Sequence, residues 1–326
     1  MHEDDLVIDA LEARAQRRHD RRALFTAALG AAAVGSAFAY SDPALAQSAV
    51  TDADVLNFAL NLEYLEAQFY LYAVNGTGLP STLTGSGSTA GGTVTGGAQV
   101  DFSGDTLVGA YAREIAADEQ AHVNFLRTAL GSSAVAMPNI NISGAADGPF
   151  TAAARAAGVV DSTSGVFNPY ADPTSFLLGA YIFEDVGVTA YKGAAPLLSN
   201  KTFLEAAAGI LAVEAYHAAI VRTTLYAKGV PALVEATEKI SAARDALDGS
   251  PTEDLIRGIA PKDDFGITPS GSGDTLASNI APLNVNGLAY SRSTGQVLNI
   301  VYLNAATTTM GGFFPNGVNG NIRSTT

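Results

Sequence analysis

The sequence predicts an all-α fold, a bundle of four long helices, on three observations. Apolar residues recur at helical spacing through four long stretches. Two of these carry Glu-x-x-His, as Glu119-Gln-Ala-His122 and Glu214-Ala-Tyr-His217. The other two each set a glutamate, Glu63 or Glu184, on an otherwise apolar stripe.

The first helix is expected from Asp52, read as its cap, to Asn75, with Leu56, Ala59, Leu60, Glu63, Glu66, Ala67, Tyr70 and Val74 on one stripe. Residues 76–103 are rich in Gly, Thr and Ser and read as a loop or a small β-hairpin. The second helix runs from about Asp105 to Leu130, with Gly131 as its stop. Residues 132–172 form a long crossover with a helical turn or two near 152–157, which makes the second and third helices parallel. The third helix follows Asp172-Pro173, where proline suits a first turn, and passes Glu184 to about Leu198. Thr202-Phe-Leu-Glu205 has the pattern of a capping box for the fourth, which Gly229 and Pro231 stop. A shorter fifth helix is expected from Ala232 to Leu247, completing a bundle domain over 47–248.

From residue 249 to 326 the chain turns to Gly, Pro, Asn, Ser and Thr, and reads as an irregular C-terminal extension. It is expected to pack on the bundle or to mediate assembly into a homo-oligomer. Leu288–Leu303 fits a helix or a buried strand, and Gly311-Gly-Phe-Phe-Pro315 exposes two rings unless it docks.

Residues 1–46 read as a twin-arginine-type export signal. Arg21-Arg22 precedes an alanine-rich run, and Ala37-Phe-Ala39 and Ala44-Leu-Ala46 offer small-x-small cleavage sites, the second preferred. The acidic start, Glu3-Asp4-Asp5, is unusual for such a leader. The run is short against the roughly 20 apolar residues a bilayer needs, so no stable membrane span is expected after leader removal. The expected location is periplasmic or secreted. Changing Arg21 and Arg22 to lysine is expected to strand the precursor in the cytoplasm, and continued export in a fractionation assay would overturn that reading.

A net charge of −14 argues against a nucleic-acid surface. With no cysteine, disulfides, thiolate metal sites and cysteine nucleophiles are excluded. Histidine and carboxylates remain as transition-metal ligands. The chain has 4 histidines; His2 and His19 fall in the leader, and the other two both lie three residues after a glutamate on an apolar helix. Positions i and i+3 share a helix face, so each pair aims a carboxylate and an imidazole at one point. One glutamate from each of two helices, with Glu-x-x-His from the other two, is the inward set of a dinuclear carboxylate site. Four buried carboxylates without compensation cost several kcal/mol each, and two divalent cations balance them.

Asn61-Leu-Glu63-Tyr-Leu-Glu66-Ala-Gln-Phe-Tyr70, Asp118-Glu119-Gln-Ala-His122, Glu184 and Glu214-Ala-Tyr-His217 resemble the ferritin-like superfamily. More narrowly, the chain is similar to exported ferritin-like, desiccation-related proteins. The likeness covers about 50–230 and extends to segments 298–303 and 311–315 of the tail. It implies Glu63, Glu119, His122, Glu184, Glu214 and His217 as ligands of two iron or manganese ions, with zinc as a substitute. Glu119 and either Glu184 or Glu214 would bridge them. The resemblance favours Glu63 over Glu66, because the superfamily's first-helix ligand precedes an aromatic by seven residues, as Glu63 precedes Tyr70; Glu66 stands as an alternative or supporting ligand. Asp118 and Asp185 are expected to orient the imidazoles, and Tyr70, Tyr181 and Tyr216 to flank the ligands.

Two functions fit these residues. One is an exported redox protein whose dinuclear centre reacts with dioxygen or peroxide, as a ferroxidase, peroxidase or catalase-like enzyme. The other is a non-catalytic stress or cell-surface protein that uses the bundle as a scaffold. Iron storage fits less well, because the 76–103 insertion and the tail crowd any closed shell of subunits.

Overall fold

Thr51 opens the first helix, α1 (Asp52–Asn75), in a reciprocal box: its hydroxyl accepts the Asp54 N–H and the Asp54 carboxylate accepts the Thr51 N–H. Asp52 is therefore not the cap, because the box needs its acid three residues after the capping residue and Asp54 holds that place. The Asp52 carboxylate instead accepts the N–H groups of Ser199 and Asn200 at 2.7 and 2.9 Å, tying the start of α1 to a distant loop. This computed structural model describes residues 50–249, 264–284 and 286–325; residues 1–46, expected to be an export signal, and residues 250–263 of the extension lie outside the described residues.

Asp105 caps α2 (Thr106–Leu130), its carboxylate accepting the Val108 N–H at 3.2 Å. Asp172 caps α4 (Pro173–Ala194), which follows the short α3 (Pro149–Ala156). Asn200, not the Thr202–Glu205 box, opens α5 (Lys201–Ala227): its side chain reaches the N–H groups of Thr202 and Phe203, so the helix has begun before Thr202. Then come α6 (Pro231–Leu247) and, in the extension, α7 (Thr294–Val301). The apolar run near the C-terminus is thus a helix, with Ser293 and Gln296 forming its box.

The ends of the helices fix their directions. Asn57, near the start of α1, donates to the Ser133 carbonyl just past α2 at 2.9 Å, so α1 and α2 are antiparallel. The Asp52 contacts set the start of α1 beside the end of α4. Helices α2 and α4 therefore run parallel, which the long crossover between them allows. Lys228, just past α5, pairs with Asp105 at the start of α2 at 2.9 Å. The result is the ferritin-like order, two hairpins joined by a crossover.

The insertion after α1 is mostly loop, with one tight antiparallel turn in which Ser86 and Thr89 exchange backbone hydrogen bonds at 2.8–2.9 Å. Its strand β1 (Val94–Gly96) pairs in parallel with β2 (Ile140–Ile142) of the crossover, Val94 opposite Ile140. Parallel pairing needs a long connection, and α2 supplies it. Ile140 and Ile142 are buried, so the pair is pinned through β2.

Phe69 centres an aromatic core with Tyr70, Phe150, Tyr170, Phe176 and Phe183, ring centroids 5.1–5.8 Å away. The extension reaches into it: Phe313 packs 4.9 Å from Phe183 and 5.1 Å from Phe150. Phe313 and Phe314 are both fully buried, each contributing about 1.5–3 kcal/mol. This docks the tail on the bundle. Among the described residues one helix, α5, is long and apolar enough to cross a membrane. Its Glu214, His217 and Arg222 are buried against the other helices.

Candidate metal centre

Four helices each deliver an acidic group to one buried spot. Glu63 (α1), Glu119 (α2), Glu184 (α4) and Glu214 (α5) are all buried, with His122 and His217 beside them. His122 Nδ1 lies 3.2 Å from Glu63 Oε2, 3.6 Å from Glu119 Oε2 and 3.9 Å from Glu214 Oε1. His217 Nδ1 lies 3.1 Å from Glu119 Oε1 and 3.6 Å from Glu184 Oε2. The imidazole centroids are 6.3 Å apart. Each oxygen of Glu119 thus faces a different histidine.

Ligand atoms converge in two groups, Glu63–Glu119–His122–Glu214 and Glu184–Glu214–His217, each within 4.8 Å. Both oxygens of Glu119 and of Glu214, Glu184 Oε2 and His217 Nδ1 make no hydrogen bond, although several stand at ion-pair distance. They aim at common points rather than along one another's N–H bonds. Buried charged atoms left so cost several kcal/mol, and a cation between them removes that cost. Mixed carboxylate and imidazole donors suit a divalent transition metal, so the residues present fit such an ion.

The electrostatics reflect this crowding. Burial, and then the charge of Glu119, pushes Glu63 up to about 7 against the pull of His122. Burial likewise lifts Glu184 to about 8, although His217 opposes it. Burial also raises Glu66 and Glu214, and neighbouring carboxylates add to it. Glu119 goes the other way: burial would raise it, but the two imidazoles standing beside its oxygens win and take it to about 2. The imidazoles lose to burial yet gain more from the carboxylates, reaching about 11 for His122 and about 9 for His217. Without a metal, protons supply the missing positive charge.

Two tyrosines brace the outer carboxylates crosswise. Tyr70 on α1 donates to Glu184 Oε1 on α4, and Tyr191 on α4 donates to Glu63 Oε1 on α1. Each glutamate keeps only its Oε2 turned to a histidine. Tyr191 was not anticipated, yet it follows Glu184 by the same seven residues that separate Tyr70 from Glu63. That repeat was the available signal. Asp118, partly exposed, holds His217 Nε2 at 3.2 Å. Glu66 is buried, but it belongs to neither convergent group. Gly187 explains the space around it: a Cβ there would stand 2.1 Å from Glu214 Oε2 and 3.6 Å from Glu66 Oε1.

Three expected neighbours are elsewhere. Asp185 does not orient an imidazole; its Oδ2 accepts from Arg222 and Arg244, both at 2.9 Å. Tyr181 lies under those same guanidinium groups, 5.5 and 4.7 Å from its ring centroid, and its hydroxyl donates to the Phe265 carbonyl. Successive helical residues point about 100° apart, so Asp185 cannot share the direction of Glu184. Tyr216 is 70% exposed, turned out beside the inward His217. Asp185 belongs instead to a buried clasp that sequence reasoning missed. Asp264 of the extension accepts from Arg244 at 2.7–2.8 Å and from Arg292 at 2.8 Å, and Arg292 also holds Asp248 at 2.7 Å. The clasp joins α4, α5 and α6 to the extension.

A four-helix bundle whose helices converge on carboxylates and two imidazoles defines the ferritin-like class. The ferritin-like domain family matches residues 51–227, and the chain belongs to that family. It is 31% identical over 285 residues to ferritin-like catalase Nec2 of Nesocodon mauritianus, covering 83% of this chain and 84% of that one. It is 30% identical over 264 residues to desiccation-related protein PCC13-62 of Craterostigma plantagineum, covering 76% of each. No solved structure gives a significant match.

Proposed function

We propose that this chain is an exported protein whose centre binds two iron or manganese ions and reacts with peroxide or dioxygen, in the manner of a catalase. The observation that carries the reading is the set of buried oxygens on Glu119, Glu184 and Glu214 that make no hydrogen bond. Glu63 and His122 would hold one ion, and Glu184 and His217 the other. Glu119 would bridge, because its two oxygens face different histidines, and Glu214 would bridge because it belongs to both convergent groups. Glu184 is the poorer bridge, since Tyr70 occupies one of its oxygens. Bound there, a pair of such ions supplies redox exchange with a small oxidant.

The chain's own residues set the conditions. Tyr70 and Tyr191 each occupy one oxygen of Glu184 and Glu63, so each of these glutamates would offer a metal its other oxygen. Asp118 fixes the orientation of His217 through its outer nitrogen. Burial keeps bulk water from the carboxylates. The relative named as a catalase supports turnover, and the desiccation-related relative supports the alternative, a non-catalytic stress protein. Export rests on Arg21-Arg22 and the alanine cleavage sites.

Metal-loaded protein is expected to consume peroxide, followed by oxygen release, with Glu119→Ala losing about a hundredfold or more, since outer-sphere changes alone cost 10–100-fold at metal sites. Glu66→Ala is expected to keep its metal. If fully loaded wild-type protein consumes neither peroxide nor dioxygen, the scaffold reading stands in its place.

A further inference from the structure

Two cavities lie on the α1–α4 side of the centre, whereas its histidines stand on α2 and α5. The inner one, about 20 Å³, is walled by Leu62 and Glu66 of α1, Ile182 and Gly187 of α4, and Ile300 and Phe313 of the extension. That space suffices for about one water-sized molecule. All of these wall residues are buried. It meets the centre at Gly187, whose missing side chain leaves room for the carboxylates of Glu214 and Glu66. The outer cavity, about 260 Å³, lies among α3, α6 and α7. Its wall is mostly alanine and aliphatic, and Ala152, Ala156 and Ala246 on its rim are exposed. Ile182 and Ile300 line both cavities. Those two side chains are the partition.

We infer that the two cavities form the route by which a small uncharged oxidant reaches the centre, with Ile182 and Ile300 as its narrow point. This rests on the proposed function for the identity of the traveller, and on geometry for the path. The walls present two charged side chains. Glu66 stands at the inner end, and Arg244 in the outer cavity is already paired with Asp185 and Asp264. An ion entering such a passage loses its hydration without replacement, at a cost of several kcal/mol. Dioxygen, neutral and apolar, bears no such cost, and neutral hydrogen peroxide loses only the hydrogen bonds of its hydroxyls, less than an ion loses. The passage therefore selects by charge and size. It also gives the extension a task, because Ile300 and Phe313 are its outer wall.

Xenon tests the path without using activity, since dry apolar cavities take it up. Crystals of the metal-loaded full chain under xenon pressure are expected to show one site in each cavity. In Ile300→Phe the inner site should vanish and the outer one persist. At unchanged metal content, that variant should also react with peroxide and dioxygen at least about tenfold more slowly, an added barrier of about 1.4 kcal/mol. Ile300→Ala should react as fast as wild type or faster, and the oxidant whose rate responds identifies the traveller. Ile182→Phe closes the same point from α4 if Ile300→Phe does not fold. An inner cavity without xenon in wild type, or a filled variant reacting at the wild-type rate, overturns the route. Should loaded wild type consume neither oxidant, the proposed function fails, while xenon at the inner site still supports the passage and its absence refutes it.

Discussion

Replacing His122 and His217 together by alanine is expected to abolish metal binding, with each ion's affinity falling by at least about a hundredfold. Both imidazoles are buried at the point where the carboxylates converge, 6.3 Å apart. Without them the four glutamates of the convergent groups remain, and carboxylates alone hold a transition metal less selectively. Elemental analysis after metal-supplemented expression reads the result, and a variant that keeps its full metal content would contradict the assignment. The metal-free wild type is the control. Glu63 and Glu184 titrate near 7 and 8 in the folded chain, above their ordinary 4.5. A carboxylate so raised stabilises the fold below its unfolded value and loses that contribution as pH rises through the folded one. His122 and His217, raised from 6.5 to about 11 and about 9, act with the same sign at higher pH. Glu119, lowered to about 2, acts oppositely and only under acid conditions. The thermal midpoint of metal-free protein should therefore fall steadily as pH rises from 4.5 through 9. Protein with both ions bound should instead gain stability from pH 4.5 to about 6.5, where the unfolded histidines bind protons that metal-held imidazoles exclude, and should hold its midpoint above that.

Asp264→Ala is expected to destabilise the protein by about 3–5 kcal/mol, the cost of removing one partner from a buried ion pair. Asp264 is buried and shared, accepting from Arg244 and Arg292 through both oxygens, with Ser241 donating as well. The arginines hold the carboxylate in its charged form despite burial. Its loss leaves Arg244 leaning on Asp185, one residue from Glu184, so the damage should spread from the extension to the centre. Urea denaturation should show the lower midpoint with an unchanged slope, and the melting temperature should drop by about 6–20 °C. A midpoint within the error of wild type would show that the clasp contributes little.

How far the sequence was legible depends on the range of the interaction. Periodicity and stop signals placed the four long helices, because both act within a turn or two. The inward set of Glu119, His122, Glu214 and His217 was legible for the same reason, each pair sharing a helix face. Caps were read less well: Asp52 and Thr202 had the right chemistry, but Thr51 and Asn200 held the better positions. The clasp was not legible at all. Arg222, Arg244 and Arg292 look like ordinary surface charges until the fold brings Asp185 and Asp264 to them. Asp185 was misassigned for that reason, its adjacency to Glu184 in sequence being mistaken for adjacency in space.

Anomalous diffraction from crystals of the metal-replete protein, recorded at the iron and manganese edges, tests the central claim most directly. Two peaks are predicted, one beside Glu63 and His122 and one beside Glu184 and His217, with Glu119 and Glu214 between them. No peak at that spot in protein loaded with either metal, or metal bound only at the surface, would contradict it.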